Sequence, residues 1–292
     1  MKIISSASCF DDISVGGATA VYVLSGETIP EGFPEGTARE MADGLMNDRS
    51  FQGKKGRIVR IPMAAPAFTS LYLVGLGDRA SYTEDNVRSR TAELVRRCRA
   101  DGVSKISVLL PETPCESMSC AAAEGAELGS YIFGKYKTVR DEDRLPEPEE
   151  LILTGGVESG LSLGKMLACA QNMARDIANE PGNKINPVTF AGLAEQEGRD
   201  FSLETHIWDE DKILGEGMEG LYSVGKGSET PPRFVHLAWK PEGSNHRKVV
   251  FVGKGITFDS GGLNLKPGDF IRTMKGDKSG ACNVLAVLRA AA

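Results

Sequence analysis

The chain has 292 residues, a formal net charge of −6, and 41% hydrophobic and 25% charged residues. That length suits two domains better than one small one, and the composition is that of an ordinary globular protein. The acidic balance, with no basic cluster standing out, argues against a nucleic-acid or anionic-membrane partner, and no apolar run approaches bilayer length.

The opening stretch "MKIISSASCFDDISVGG" has one lysine and no long apolar core before Asp11 and Asp12, so no signal peptide is expected. "LYLVGLG" (71–77) reads as a buried strand ending in a glycine turn, and "YTEDNVRSRTAELVRRCRADG" (82–102) has helical periodicity. "KISVLLP" (105–111) is a second strand stopped by proline, and "CAAAEGAELGSYIFGKYK" (120–137) the next helix. A charged, proline-bearing loop (137–150) precedes the strand "LILTGG" (151–156). This β-α-β order predicts an α/β domain with a parallel sheet.

From residue 160 to 198 the pattern predicts a long amphipathic helix, a Pro-Gly break at 181–182, and a second helix after Pro187. The domain boundary is placed here, giving 1–158 as an N-terminal α/β domain and 159–292 as a second one. Three strands are expected beyond it: "SLETHIW" (202–208), "RFVHLAW" (233–239) and "KVVFVGK" (248–254). The last is apolar on consecutive positions, as in a strand covered on both faces.

Six cysteines (Cys9, Cys98, Cys115, Cys120, Cys169 and Cys282) are scattered without a C-x-x-C pair, which fits reduced cytosolic thiols better than a zinc site or disulfides. The three histidines, His206, His236 and His246, form no H-E-x-x-H, so a metal would need oxygen ligands and an unusual nitrogen.

Two glycine-rich stretches mimic nucleotide loops and fail on detail. "GLYSVGKG" (220–227) nearly matches G-x4-G-K-[ST], but Gly227 replaces the hydroxyl; it reads as a turn between strands. "GLGDRA" (75–80) loosely fits G-x-G-x-x-A, yet its helix starts only after Tyr82, so a tight turn is the better reading.

"VGKGITFDSGGLNLKPGDFIRTMKGDKSGA" (252–281) is different. It concentrates Lys254, Asp259, Lys266, Asp269, Lys275, Asp277 and Lys278 among glycines, at the expected C-terminal end of a strand, where α/β sheets place ligands. Apolar neighbours Ile256 and Phe258 point to a buried Asp259. Spacing alone leaves a metal site and a solvated, ion-paired loop about equally favoured.

The residues themselves go further. "VGKGITFDSGG", "LKP", "MKGD" and the small-residue helix "SGACNVLAVLRAAA" resemble the core of the cytosolic leucyl aminopeptidase family, the M17 metallopeptidases. "NMARDIANEPGNKINP" (172–187), "VGKGS" with "PPRFVHLAW" (224–239), and "GAELGSYIFGKYK" (125–137) extend the resemblance. It implies a macro-like N-terminal α/β domain followed by the first part of a mixed-sheet catalytic domain. It also implies an aminopeptidase with leucine-type preference that releases N-terminal residues from peptides, using two divalent ions (manganese or zinc) and a bicarbonate. The family implies a cytoplasmic homo-hexamer, with no nucleic acid or membrane.

By that resemblance Lys254, Asp259 and Asp277 are metal ligands, Asp259 bridging both ions. Lys266 is the catalytic lysine, and Met274 lines the pocket for the first side chain; all five lie on the substrate's path. A lysine binds metal only as the neutral amine, a carboxylate has two oxygens with which to bridge, and an ammonium at Lys266 would stabilise an oxyanion.

The "NTDAEGR"-type segment that completes the family's site has no counterpart in the chain, whose last residues read as an uncapped apolar helix. A C-terminal truncation and an inactive chain are therefore expected. A non-catalytic scaffold or regulatory member of the same fold is the alternative. Lys278 and Ser279 stand where the family more often has methionine and a small residue.

Overall fold

The computed structural model describes residues 1–7, 17–31, 33, 36–63, 68–140, 144–242 and 247–292. Cys9, Asp11, Asp12 and His246 lie outside the described residues. The chain divides into two units, Met1–Cys169 and Ala170–Ala292.

The first unit is built on a six-stranded mixed sheet. Its strands are β1 (Lys2–Ser6), β2 (Gly17–Leu24), β3 (Ile58–Pro62), β4 (Phe68–Gly77), β5 (Lys105–Leu109) and β6 (Glu150–Thr154), in the order β1-β6-β5-β2-β4-β3. Every pairing is parallel except that of β3 with β4, which puts an antiparallel strand at one edge. All eight residues of β2 are buried, as a central strand covered on both faces requires.

Side-chain alternation sorts the core into two layers. Tyr22 and Leu24 join Tyr72, Val74, Leu94 and Ala122 on one face, while Val21 and Val23 join Leu71, Leu73, Ala42 and Phe51 on the other. The first layer packs under α2 (Glu84–Ala100) and α3 (Glu116–Ser130), the second under α1 (Thr37–Asn47). Thr83 caps α2 by accepting from the Asn86 N–H at 3.3 Å. Glu84 and Asp85 in the first turn and Arg97 and Arg99 in the last complement the helix dipole.

Helices α2 and α3 meet backbone to backbone. A Cβ on Gly125 would fall 2.2 Å from the Arg88 carbonyl oxygen, and one on Gly129 2.6 Å from that of Ala92. Glycine there is a packing requirement, since any side chain would push the helices apart.

Helix α4 (Glu158–Asn179) spans the division between units. In the second unit α5 (Pro187–Asp200) starts at a capping box, Asn186 accepting from the Thr189 N–H at 2.9 Å and Thr189 Oγ1 from the Asn186 N–H at 2.8 Å. Then come β7 (Glu204–Trp208), α6 (Glu210–Gly215), α7 (Glu219–Gly225), β8 (Phe234–Ala238), α8 (Gly268–Thr273) and α9 (Ser279–Ala291). β7 and β8 pair antiparallel, and the core gathers Ala174, Ile177, Phe190, Ala194, Cys282 and Leu285. Among the described residues no helix is long and apolar enough to cross a membrane.

Four expectations need correction. Residues 248–254 form no strand: Val249, Val250, Phe251 and Val252 are 71%, 80%, 52% and 93% exposed and belong to no ladder. A strand needs partners for its N–H and C=O groups, and none of the described strands pairs with this stretch. The helix expected over 120–137 runs instead over α3 and stops at Tyr131, which is extended at φ −63, ψ 128. Gly129 and Gly134, either side of that stop, weaken any continuation. Residues 220–227 are not a turn between strands: 220–225 belong to α7. Finally, β1, β2, α1 and β3 occupy a region for which the sequence pattern predicts no element.

Candidate metal centre

The segment after residue 252 is irregular but closely held. A Cβ on Gly253 would lie 2.5 Å from the Gly280 carbonyl oxygen, and one on Gly280 2.7 Å from the Lys254 nitrogen. Two bare Cα atoms therefore let the loop lie directly on the first turn of α9, where the Ala281 N–H donates to the Lys254 carbonyl at 2.9 Å. Further on, Gly261 and Gly262 take φ values of +95 and +70, a left-handed region open mainly to glycine. The turn closes with the Lys266 N–H donating to the Ser260 carbonyl at 2.9 Å.

That turn folds Lys266 back onto Asp259, Nζ to Oδ1 2.5 Å. The Gly261 N–H donates to the same oxygen at 2.9 Å, and Lys266 Nζ also lies 2.8 Å from Met274 Sδ. Met274 opens a 3-10 turn, Met274–Lys278, that carries Asp277. Asp277 faces Lys254 with both oxygens, Nζ to Oδ1 3.0 Å and to Oδ2 2.9 Å. The loop thus brings together all five residues singled out from the sequence, as a Lys254–Asp277 pair and an Asp259–Lys266–Met274 group.

The Lys266 hydrogen bond, reinforced by the Gly261 N–H and the charge of Lys254, holds the Asp259 carboxyl below the usual range. Its side chain is 34% exposed, so the burial expected from its apolar neighbours is only partial; Phe258 beside it is itself exposed. Asp269 is 97% exposed and faces Arg272 at 3.8 Å, outside the cluster.

The donor set falls short of a two-ion centre. Two carboxylates and one amine are present, and each carboxylate already has an ammonium neighbour. Among the described residues no group of three or more His, Cys, Asp or Glu could hold a metal ion. These donors suit part of one coordination shell and do not by themselves make a complete two-ion centre.

Lys275 and Lys278 have a use the sequence did not disclose. Lys275 Nζ donates to the Asn179 carbonyl at 3.2 Å, and Lys278 Nζ to Glu180 and Ala178 at 2.8 and 3.3 Å, as well as to Lys275. Both lysines thus clasp the C-terminal end of α4. Lys278 is fully buried, and burial pushes its pKa down. Its place directly ahead of the small-residue, apolar helix α9 was the available signal.

The chain is thus an α/β protein with a mixed-sheet first unit and a glycine-shaped Lys/Asp cluster in the second. It belongs to the cytosol aminopeptidase family. The pattern of the "Cytosol aminopeptidase family, catalytic domain" matches residues 172–292, and that of the family's N-terminal domain residues 35–140. A "Probable cytosol aminopeptidase" of Aquifex aeolicus is 44% identical over 100% of this chain and 60% of its own length. One of Persephonella marina is 37% identical over 84% and 51%. The chain therefore spans only about half to three-fifths of the relatives it matches.

Among solved structures, the bottromycin maturation enzyme BotP in complex with Mn superposes with a TM-score of 0.75 at 29% identity, covering 94% of this chain and 56% of that one. A tomato leucine aminopeptidase mutant, at 22% identity, shares the fold with a TM-score of 0.78, covering 99% and 59%.

Proposed function

We propose that this chain carries the first half of the active site of a metal-dependent aminopeptidase with leucine-type preference, acting on the N-termini of peptides. In that reading residues 1–158 form the N-terminal domain and 159–292 the first part of the catalytic domain. Lys254, Asp259 and Asp277 would hold the metal, manganese or zinc, and Met274 would line the pocket for the first side chain. The complete protein would be a cytoplasmic homo-hexamer, with a bicarbonate in its site.

The observation that carries the reading is the convergence of Lys254, Asp259, Lys266 and Asp277 in one glycine-shaped loop of a family member. Divalent ions, when bound, supply carbonyl polarisation and an activated water. Lys266 presents an ammonium for the developing oxyanion, and Asp259 fixes where that ammonium sits. The donors of this chain are too few for both ions, so the chain alone should be inactive.

The test is manganese-dependent hydrolysis of a leucine anilide, by the chain alone and by the chain joined to the downstream segment of the Aquifex aeolicus relative. Activity is expected only from the joined protein. There, Lys266→Ala should lower turnover by about 10²–10³ while metal content stays the same. An unchanged rate would remove Lys266 from the mechanism, and hydrolysis by the chain alone would refute its inactivity.

A further inference from the structure

Although no basic cluster stands out in the sequence, the fold of the first unit assembles one. A groove of about 400 Å³ lies between the chain entering β3 and the outer side of α2, lined by Gly56, Arg57 and Ile58 on one side and by Glu93, Arg96 and Arg97 on the other. It shares no residue with the Lys254 cluster. The charges in it are unevenly compensated. Glu93 is engaged by Arg90, Nη1 to Oε2 2.5 Å. Arg97 is engaged by Asp101, Nε to Oδ2 3.2 Å. The exposed side chains of Arg57 and Arg96 have no hydrogen bond or ion pair among the described residues.

Two further features belong to the same place. Gly56, at φ +79, leaves open the spot where a Cβ would sit 3.2 Å from Arg90 Nη1. The Nε of that arginine is buried without a hydrogen-bond partner. Arg60, on β3 itself, is held by Ser70 Oγ at 2.9 Å and lies 4.0 Å from Asp101. The region therefore concentrates guanidinium groups beyond what its carboxylates neutralise, in a chain that is acidic as a whole.

We propose that this groove binds a compact, multivalent oxyanion of the phosphate class. Unpaired guanidinium groups lining one concavity repel each other, and an anion of two or more charges relieves that repulsion. Their planar forks match the oxygens of phosphate in paired hydrogen bonds, which a point-charge ammonium cannot imitate. The volume lies at the lower end of small-molecule sites, which favours a pyrophosphate-sized group over a larger ligand.

Calorimetric titration of the 292-residue chain with pyrophosphate at low salt tests this, with sodium chloride at matched ionic strength and citrate as comparison arms. Saturable binding of one pyrophosphate per chain is expected. It should weaken at least about tenfold in the Arg57→Gln/Arg96→Gln double variant, the equivalent of one charge-assisted hydrogen bond. Arg57→Lys, which keeps the charge and loses the fork, should lie between the two. Both positions are exposed, so the thermal midpoint without anion should not fall. Heats no larger than those of chloride, or binding unaltered by the double variant, would overturn the site. Citrate binding tighter than pyrophosphate would overturn its assignment to phosphate.

Discussion

The Lys278 ammonium donates to the Glu180 carbonyl at 2.8 Å, from a side chain with no solvent exposure. Its other protons go to the carbonyls of Ala178 and Lys275, so three donors meet three acceptors. Two of those acceptors lie at the C-terminal end of α4, the negative end of its dipole. Lys278→Met removes every donor while keeping most of the bulk, leaving buried carbonyls without partners. A loss of about 2–4 kcal/mol is expected in urea denaturation. An unchanged midpoint would mean that the clasp contributes nothing.

The helix crossing of the first unit makes a separate demand. In Gly125→Ala the new methyl would lie 2.2 Å from the Arg88 carbonyl oxygen, and backbone cannot yield as a flexible side chain can. A cost of about 1–3 kcal/mol is expected, despite the higher helix propensity of alanine. Gly102→Ala is the wrong control, being at φ +79. Gly192→Ala, helical and with open space around its Cβ, should be neutral or stabilising. Equal effects at 125 and 192 would dismiss the close crossing.

Acid stability reports on Glu204. Hydrogen bonds from Lys240 and then His206 hold its carboxyl at about 2, below the usual value of about 4.3. A depressed carboxylate stabilises fully above its unfolded value, and that stabilisation fades as pH falls towards the folded one. The thermal-midpoint difference between the parent and Glu204→Gln should persist down to about pH 5 and shrink below about 4. A gap that grows between about pH 4 and 2 would contradict the pairing.

Thiol chemistry separates the cysteines. Cys115 is exposed, and contact with the Ser117 hydroxyl at 3.3 Å and the Met118 N–H lowers its pKa. Burial pushes Cys98 up to about 12 and Cys282 up to about 11. Because the thiolate is the nucleophile, iodoacetamide followed by peptide mass spectrometry should label Cys115 first among the described thiols. Cys98 and Cys282 should stay unlabelled until the protein unfolds. Early labelling of Cys282 would mean that the Lys278–α9 region opens readily.

Much of this architecture is legible in sequence, because the signals are local. The α2 start after Tyr82 follows from the Thr83 cap and the acidic first turn, and the α4–α5 break from Pro181-Gly182. The convergence of Lys254, Asp259, Lys266, Met274 and Asp277 is carried by a family motif, and the glycine turns that build it are written into "FDSGG". Pairing is a different matter. β2 has eight buried residues and the turn dipeptide Ser25-Gly26 at its end, yet nothing in its apolar run names a partner, and the apolar run at 249–252 reads as a strand though no described strand accompanies it. The Arg57–Arg96 groove joins positions far apart in the chain, so only the fold could reveal it.

That bare stretch, Val249 to Val252, has a consequence for handling the molecule. Four adjacent apolar side chains with open backbone hydrogen-bonding groups are a template for intermolecular β-pairing. Arg247 and Lys248, both exposed, precede them as charged gatekeepers, which sets electrostatic repulsion against hydrophobic adhesion. Colloidal behaviour should therefore depend on ionic strength: screening those two charges should bring the onset of turbidity to lower protein concentration, well before either unit unfolds.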